Sequence, residues 1–270
     1  MNDTQIQNPV EAPYQSEHLL ELRTLAGNTF KNLLDDLKPV LIEANIEFTE
    51  RGLKLAAVDT QKNAFVHLKM DASVFEFYHC PERIVIGIDI DKLHRTIKTN
   101  KSNDLMYMIV RRDNRSQLEI RFNHAQQKAK NTIDLLSLEE SDIRDTIEYT
   151  VASEMDALCF QNICREMSTF HATLVEIQSI NNELIFENKD GDVIRTVSVN
   201  VHAPDTARDL PPARGVFLLK FLKHFAKSAN LSRTVKLYLS DHVPLACEYN
   251  IGNLGTVMYL LSSYKHYNPN

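Results

Sequence analysis

Four basic residues at helical spacing are the strongest chemical signal in this chain. Within 215–229, GVFLLKFLKHFAKSA, Lys220, Lys223, His224 and Lys227 recur along one face of a helix. Leu218, Phe221, Leu222 and Phe225 recur along the other, as a core-facing stripe. No carboxylate interrupts the basic row, although the chain as a whole carries a net charge of −6. A solvated helix ordinarily mixes signs so that i,i+4 pairs form. An unmixed row suits a negatively charged partner, with an ordinary solvated face as the competing reading.

Other reactive residue types point nowhere as clearly. His79 and Cys80 are adjacent but end a strand-like run, which favours a structural role. Cys159 and Cys164 are five apart on a helical pattern, awkward spacing for a shared metal. Glu139, Glu140 and Asp142 lie in an acidic stretch without periodicity, which reads as a solvated run rather than a general acid–base pair. With seven glycines and no glycine-rich phosphate loop, nucleotide chemistry has no motif to rest on. The expectation is a non-enzyme without metal or cofactor. Four scattered cysteines suggest reduced thiols and an intracellular setting. A pI near 5.9 argues against a protein that simply coats nucleic acid, while leaving room for a local basic surface on an acidic body. No apolar run approaches the ~20 residues of a membrane span. The polar, acidic start of the chain does not read as a signal peptide.

The elements that must carry these residues form a repeated plan. Residues 1–18 read as a flexible tail with Pro9 and Pro13. A strand at 19–25 leads to a helix over 28–38 with Asn28 as its cap and Phe30, Leu33, Leu34, Leu37 and Leu41 as its stripe. Alternating runs at 46–49, 53–59, 64–70, 74–78 and 84–88 read as strands. A second helix over 89–99 has Ile90, Leu93 and Ile97 on one side and Lys92, Arg95 and Lys98 on another. A strand pair follows at 105–110 and 117–122, then an edge strand near 132–136. The acidic run 137–146 reads as a linker crossing the surface. The second half starts with a helix over 153–170 capped by Ser153, continues with strands at 173–178, 183–187 and 193–201, and ends with the basic helix and strands at 234–240 and 245–249. Two β-rich halves, each with two helices carrying cations off their apolar stripe, imply an α+β fold of two similar domains, 19–131 and 149–263. A connector over 132–148 joins them, and a tail over 264–270 follows.

Several ordered runs carry a specific likeness. They are Leu231-Ser-x-Thr-Val235, Val243-Pro-Leu-x-x-Glu-Tyr249 with Gly255 before a final apolar strand, Gly52-Leu53-x-Leu55-x-x-x-Asp59, Phe77-x-x-Cys80 and Ile163-Cys164-Arg165. Over roughly residues 19–262 the chain resembles the proliferating cell nuclear antigen family of DNA sliding clamps, in a form suggestive of a large DNA virus or protist. The resemblance implies the DNA clamp fold: two topologically similar domains with two helices each on antiparallel sheets, and three subunits closing into a ring with helices lining the hole.

The resemblance also implies roles. Lys31, Lys38, Arg95, Lys98, Arg165, Lys220 and Lys227 match basic DNA-facing positions, and Lys223 is an additional cation. Asn32, Asn162 and Thr169 stand where the family is basic or has histidine. Val58, Lys62, Asn63, Pro244 and Ser262, with the connector near Ile143 and Ile147, match the pocket that takes peptides of replication and repair proteins. Lys62, Asn63, Arg144, Thr146, Ser262 and Ser263 depart from its usual composition, which implies altered peptide preference. Edges near 129–136 (Ile133, Leu135) and 192–199 (Val193, Val197) match the subunit contact. The implied partners are double-stranded DNA, a DNA polymerase and other peptide-bearing proteins, a clamp loader, and two further copies in a homotrimer, with no membrane. The implied setting is the nucleus, or a viral replication compartment. Two alternatives share the fold: a monomeric viral processivity factor, and one subunit of a heterotrimeric checkpoint clamp.

Overall fold

The computed structural model of the chain describes residues 17–99, 104–123, 128–139, 151–180, 182–201, 212–241 and 243–264. In the first half β1 (His18–Thr24), α1 (Gly27–Leu37), β2 (Glu43–Thr49), β3 (Gly52–Val58), β4 (Ala64–Asp71), β5 (Phe77–His79), β6 (Ile84–Asp89), α2 (Ile90–Ile97), β7 (Leu105–Arg111), β8 (Gln117–Asn123) and β9 (Lys128–Asp134) follow one another. The second half runs β10 (Val151–Asp156), α3 (Ala157–Thr169), β11 (Leu174–Ile180), β12 (Glu183–Asn188), β13 (Thr196–Asn200), β14 (Ala213–Leu218), α4 (Leu219–Phe225), β15 (Thr234–Leu239), β16 (Leu245–Asn250) and β17 (Gly255–Leu261).

All named strand pairings are antiparallel, and they build three sheets. One has the order β5-β1-β7-β8-β9, one β13-β12-β11-β14, and the largest β10-β15-β16-β17-β4-β3-β2-β6. The largest sheet crosses the two halves: β17 of the second lies against β4 of the first, from Gly255 opposite Met70 to Leu261 opposite Ala64. Val257, Tyr259 and Leu261 are fully buried in that seam. Strand alternation puts their side chains on the same face as Val66 and Leu68. Gly255 opens β17 at φ +156°, where a Cβ would lie 2.0 Å from the Lys69 carbonyl oxygen. No other residue type fits there without displacing backbone.

Each half also closes onto itself. Leu136, just past β9, donates its N–H to the Gly87 carbonyl on β6 at 2.8 Å, and Tyr264, just past β17, donates to Val216 on β14 at 2.7 Å. Gly87 and Val216 are equivalent places, three residues ahead of α2 and α4.

Local chemistry moved several sequence-based boundaries. The helix expected from 215 begins at Leu219, because 213–218 pairs with β11 as a strand. Leu218 therefore belongs to β14, and a 3₁₀ turn, Ala226–Asn230, continues α4. Ser153 lies in β10, while Asp156 caps α3 by accepting the Cys159 N–H at 2.8 Å. Asp89 does the same for α2 with Lys92 N–H at 2.9 Å. α1 has no side-chain cap: Ala26 precedes it, and Asn28 is inside the helix.

Candidate nucleic-acid interface

The four helices form one connected layer. α1 packs on α2 and on the Ala226–Asn230 turn, that turn packs on α3, and α3 packs on α4. Their apolar stripes are buried against the sheets: Phe30, Leu33, Leu34 and Leu37; Ile90, Leu93 and Ile97; Phe160, Ile163 and Met167; Phe221, Leu222 and Phe225. Between the helices, Lys223 Nζ donates to Ser168 Oγ at 2.7 Å and Gln161 Nε2 to the Ala226 carbonyl at 2.9 Å.

With the stripes turned inward, Lys38, Arg95, Lys98, Arg165, Lys220, Lys223 and Lys227 are exposed, and Lys31 is half-buried. Their mutual electrostatics place them near one another. Asp35 of α1 is held below the usual carboxylate range, chiefly by Lys38 at 2.5 Å, with contributions from His94 on α2 and from Lys227. His94 is driven down by burial, then by Lys38, with Lys98 adding to it. His224 is lowered by burial and then by Lys227, Lys223 and Lys220. Each histidine is thus disfavoured as a cation, first by burial and then by the lysines around it. His224 belongs to the basic row in spacing but is half-buried, and burial and the neighbouring lysines favour its neutral form.

The layer is not wholly free of carboxylates. Asp35 pairs with Lys38, and Asp91 with Arg95 at 2.9 Å. Both pairs are solvent-exposed and of small energetic weight, so these cations can turn to another anion at little cost. Lys220 behaves differently: its Nζ donates to Gln61 Oε1 at 3.1 Å and lies 4.7 Å from the Phe221 ring centroid, which ties α4 to the β3–β4 loop. Arg165 donates to Gln161 at 3.2 Å within α3.

A second set of residues meets around that loop. Asp59 organises it, accepting from Asn63 and Ala64 N–H at 2.6 Å each and from Gln61 N–H at 3.1 Å. Lys62 stands in the left-handed region at φ 58°, and Val58 is exposed. Ser262 donates its N–H to the Asn63 carbonyl at 2.9 Å. Leu245 pairs with Leu261, so half-buried Pro244 and exposed Ser262 follow in register. Val58, Lys62, Asn63, Pro244 and Ser262 therefore share one region, while Ile143 and Ile147 lie outside the described residues. Exposed Tyr264, read from sequence as the first residue of the tail, is fastened beside them and was missed; its neighbours Tyr259 and Leu260 carried the periodic signal and it did not.

The expected contact edges are β9 and β13, which end two different sheets. Ile133 lies in β9 but is buried, and Leu135 follows that strand. Val197 lies in β13, whereas Val193 precedes it and is exposed together with Ile194, which the sequence reading passed over. Burial pushes the Cys80 thiol up to about 11 and Cys164 up to about 12, and raises Cys159 and Cys247 as well. Among the described residues no group of three or more His, Cys, Asp or Glu is disposed to hold a metal ion.

Comparison with known proteins agrees with this geometry. Residues 19–146 match the family model for the proliferating cell nuclear antigen N-terminal domain, and 142–264 match the model for its C-terminal domain. A protein named "Probable DNA polymerase sliding clamp 1" from Paramecium bursaria Chlorella virus 1 is 26% identical over 253 residues, covering 90% of this chain and 96% of that one. "Proliferating cell nuclear antigen 2" of Drosophila melanogaster is 29% identical over 251 residues, covering 90% and 97%. With both domain models matched in order along nearly its whole length, the chain belongs to the proliferating cell nuclear antigen family.

Proposed function

We propose that this chain is a DNA sliding clamp, a processivity factor that keeps a DNA polymerase on its template without catalysing a reaction itself. The observation that carries this reading is the single helical layer onto which Lys38, Arg95, Lys98, Arg165, Lys223 and Lys227 emerge from both halves. Duplex DNA presents about one negative charge per 1.7 Å of axis. Long cationic side chains on a helix surface meet phosphates without reading base edges, which a sliding contact requires. Weak internal pairing leaves those cations available.

The reading includes a homotrimeric ring of two-domain subunits, built by β9 of one copy against β13 of the next. The internal seam supports it. β4 and β17 already pair in the way that the corresponding strands β13 and β9 would, and free sheet edges otherwise invite aggregation. The domains are 19–131 and 149–263 with a connector over 132–148, the first residues of which still belong to β9. A clamp loader would open the ring, and polymerase and other partners would insert a peptide near Val58, Lys62, Asn63, Pro244 and Ser262 beside the connector. Lys62 gives that rim a positive charge and a matching preference for acidic peptide residues. The protein would work in the nucleus or in a viral replication compartment.

Exchanging Lys98 and Lys220 together for Glu tests the reading. Polymerase extension on a primed circular template, with loader and ATP, should lose processivity while light scattering still reports a trimer. Unchanged extension lengths, or a monomer at all concentrations of the unaltered protein, would refute it.

A further inference from the structure

The internal seam fixes more than the choice of edges. The two halves correspond row by row. Tyr107 lies as far beyond the first residue of α2 as Lys236 lies beyond the first residue of α4. From Tyr107 the row crosses Arg121 to Lys130 at the β9 edge, and from Lys236 it crosses Glu248 to Met258 in β17. On the other side, Gly87 and Val216 each stand three residues ahead of a helix. The row from Gly87 crosses Asn45 and passes through Ala56 to His67, and the row from Val216 crosses Glu176 and Glu187 to Thr196. Met258 faces His67 in the seam. Transferred to the open edges, that register sets Lys130 opposite Thr196 of a second copy, Lys128 opposite its Ser198, and Ala129 opposite its Val197.

The charges flanking these edges are opposite in sign. Beside β9, on the sheet face away from the helices, stand Lys128, Lys130 and Arg121, with Glu119 and, at the far end of the strand, exposed Asp134 against them. Glu119 is buried, and Arg121 and Lys130 both bind it, the latter at 2.6 Å. Beside β13, on the equivalent face, stand Glu176, Glu187 and Glu183, with Lys189 between the first two at 3.0 and 2.8 Å. Thr196 donates to Glu187 at 3.1 Å and so carries the acidic row to the edge. One edge is net positive and the other net negative.

Resting on the ring reading above, we propose that this charge pairing is what makes the chain assemble β9-to-β13 in a single register, and what forbids the two-fold alternatives. A β9-to-β9 dimer would bring Lys128, Lys130 and Arg121 against their own copies; a β13-to-β13 dimer would do the same with Glu183 and Glu187. Like charges facing one another in a sheet or an interface are disfavoured. In the β9-to-β13 arrangement the rows Arg121–Lys130 and Thr196–Glu187–Glu176 become one continuous line across the contact. The same register continues to cover Val193 and Ile194, the exposed apolar residues just ahead of β13.

The test uses the full chain. In analytical ultracentrifugation, Lys130→Glu and Glu187→Lys should each weaken trimer formation by at least about tenfold, raised salt should weaken the unaltered trimer, and the double variant K130E/E187K should restore it. Oxidising the pair K128C/S198C should yield a covalent ring, because directly opposite residues bring their Cβ atoms within disulfide reach, whereas K128C alone should not cross-link. A trimer indifferent to both charge changes, or cross-linking by K128C alone, overturns the charge-and-register proposal and leaves the ring reading standing. A protein monomeric under all conditions overturns both.

Discussion

The seam inside the chain and the open edges at its two ends are built on the same strand plan and finished differently. In the seam, Val257, Tyr259 and Leu261 are completely buried. Tyr259 stacks on Phe225 with centroids 4.8 Å apart and meets Ser228 Oγ through its hydroxyl at 2.9 Å. At β9 and β13 the same positions are Ala129, Asn131 and Ile133, or Val197 and Val199, and the alternate side chains are Lys, Thr and Ser. An apolar seam is permanent, because opening it exposes a core. A polar, charged edge can part and re-form in water. The difference is what a chain needs if its halves must never separate but its copies must.

The largest effects should fall on the seam. Tyr259→Ala should cost ~3–5 kcal/mol of unfolding free energy as a cavity in a packed core, whereas Thr196→Ala should stay within ~0.5 kcal/mol in the monomer. Urea denaturation of both variants measures the contrast, and equal losses would break it. Gly255→Ala comes next, at ~1–3 kcal/mol, since the added Cβ meets backbone rather than a side chain that could move aside.

The seam also has a polar end. Asp36 of α1 is buried where the first half meets the Ala226–Asn230 turn, bonded to Ser228 and 3.5 Å from Asn230 Nδ2. Burial, the dominant cause, raises its pKa from 3.8 to about 7, with Asp35 adding to the rise. The folded protein therefore keeps a proton that the unfolded chain has released. The resulting stability is fully present below about pH 4 and is lost as pH rises through about 7. Asp36→Asn should remove that decline, leaving a variant more stable than the parent at pH 8 by up to about 4 kcal/mol and little changed at pH 4. A parallel pH dependence in both proteins would assign the group no such role.

The smallest effect on stability, and the sharpest functional one, belongs to the helical layer. Lys38→Ala, Lys98→Ala and Lys227→Ala should each alter stability by less than ~0.5 kcal/mol. Each should also lower the slope of log affinity for duplex DNA against log salt by about one. Fluorescence anisotropy over a salt series reads that slope.

Much of this arrangement was legible in the sequence. The apolar stripes of α1 and α2, the order of strands in the first half and the exposed lysines follow from periodicity alone, whereas β10 and β14 of the second half do not. The start of α4 did not, because Gly215 to Leu218 continues the helical stripe while also satisfying the pairing demands of a strand beside β11; tertiary hydrogen bonding decided it. His224 reads as a cation by spacing, but burial, which only the packed fold supplies, and then the three lysines of its own row disfavour its charged form. Nothing in the local sequence singles out Asp36 from Asp35 beside it. Only the approach of the 226–230 turn, almost two hundred residues away, buries one of the two. Among the pocket residues, Val58 and Ser262 could be named only by resemblance, since no local pattern announces that their strands end side by side.

The two backward hydrogen bonds, from Leu136 to Gly87 and from Tyr264 to Val216, have a further outcome. The atoms that seal β6 and β14 lie just past β9 and β17, the last strands of the two halves. A pull that lifts either segment unfastens the border of a strand. Loss of either bond should therefore bare a sheet edge and make the chain more prone to stick to its copies.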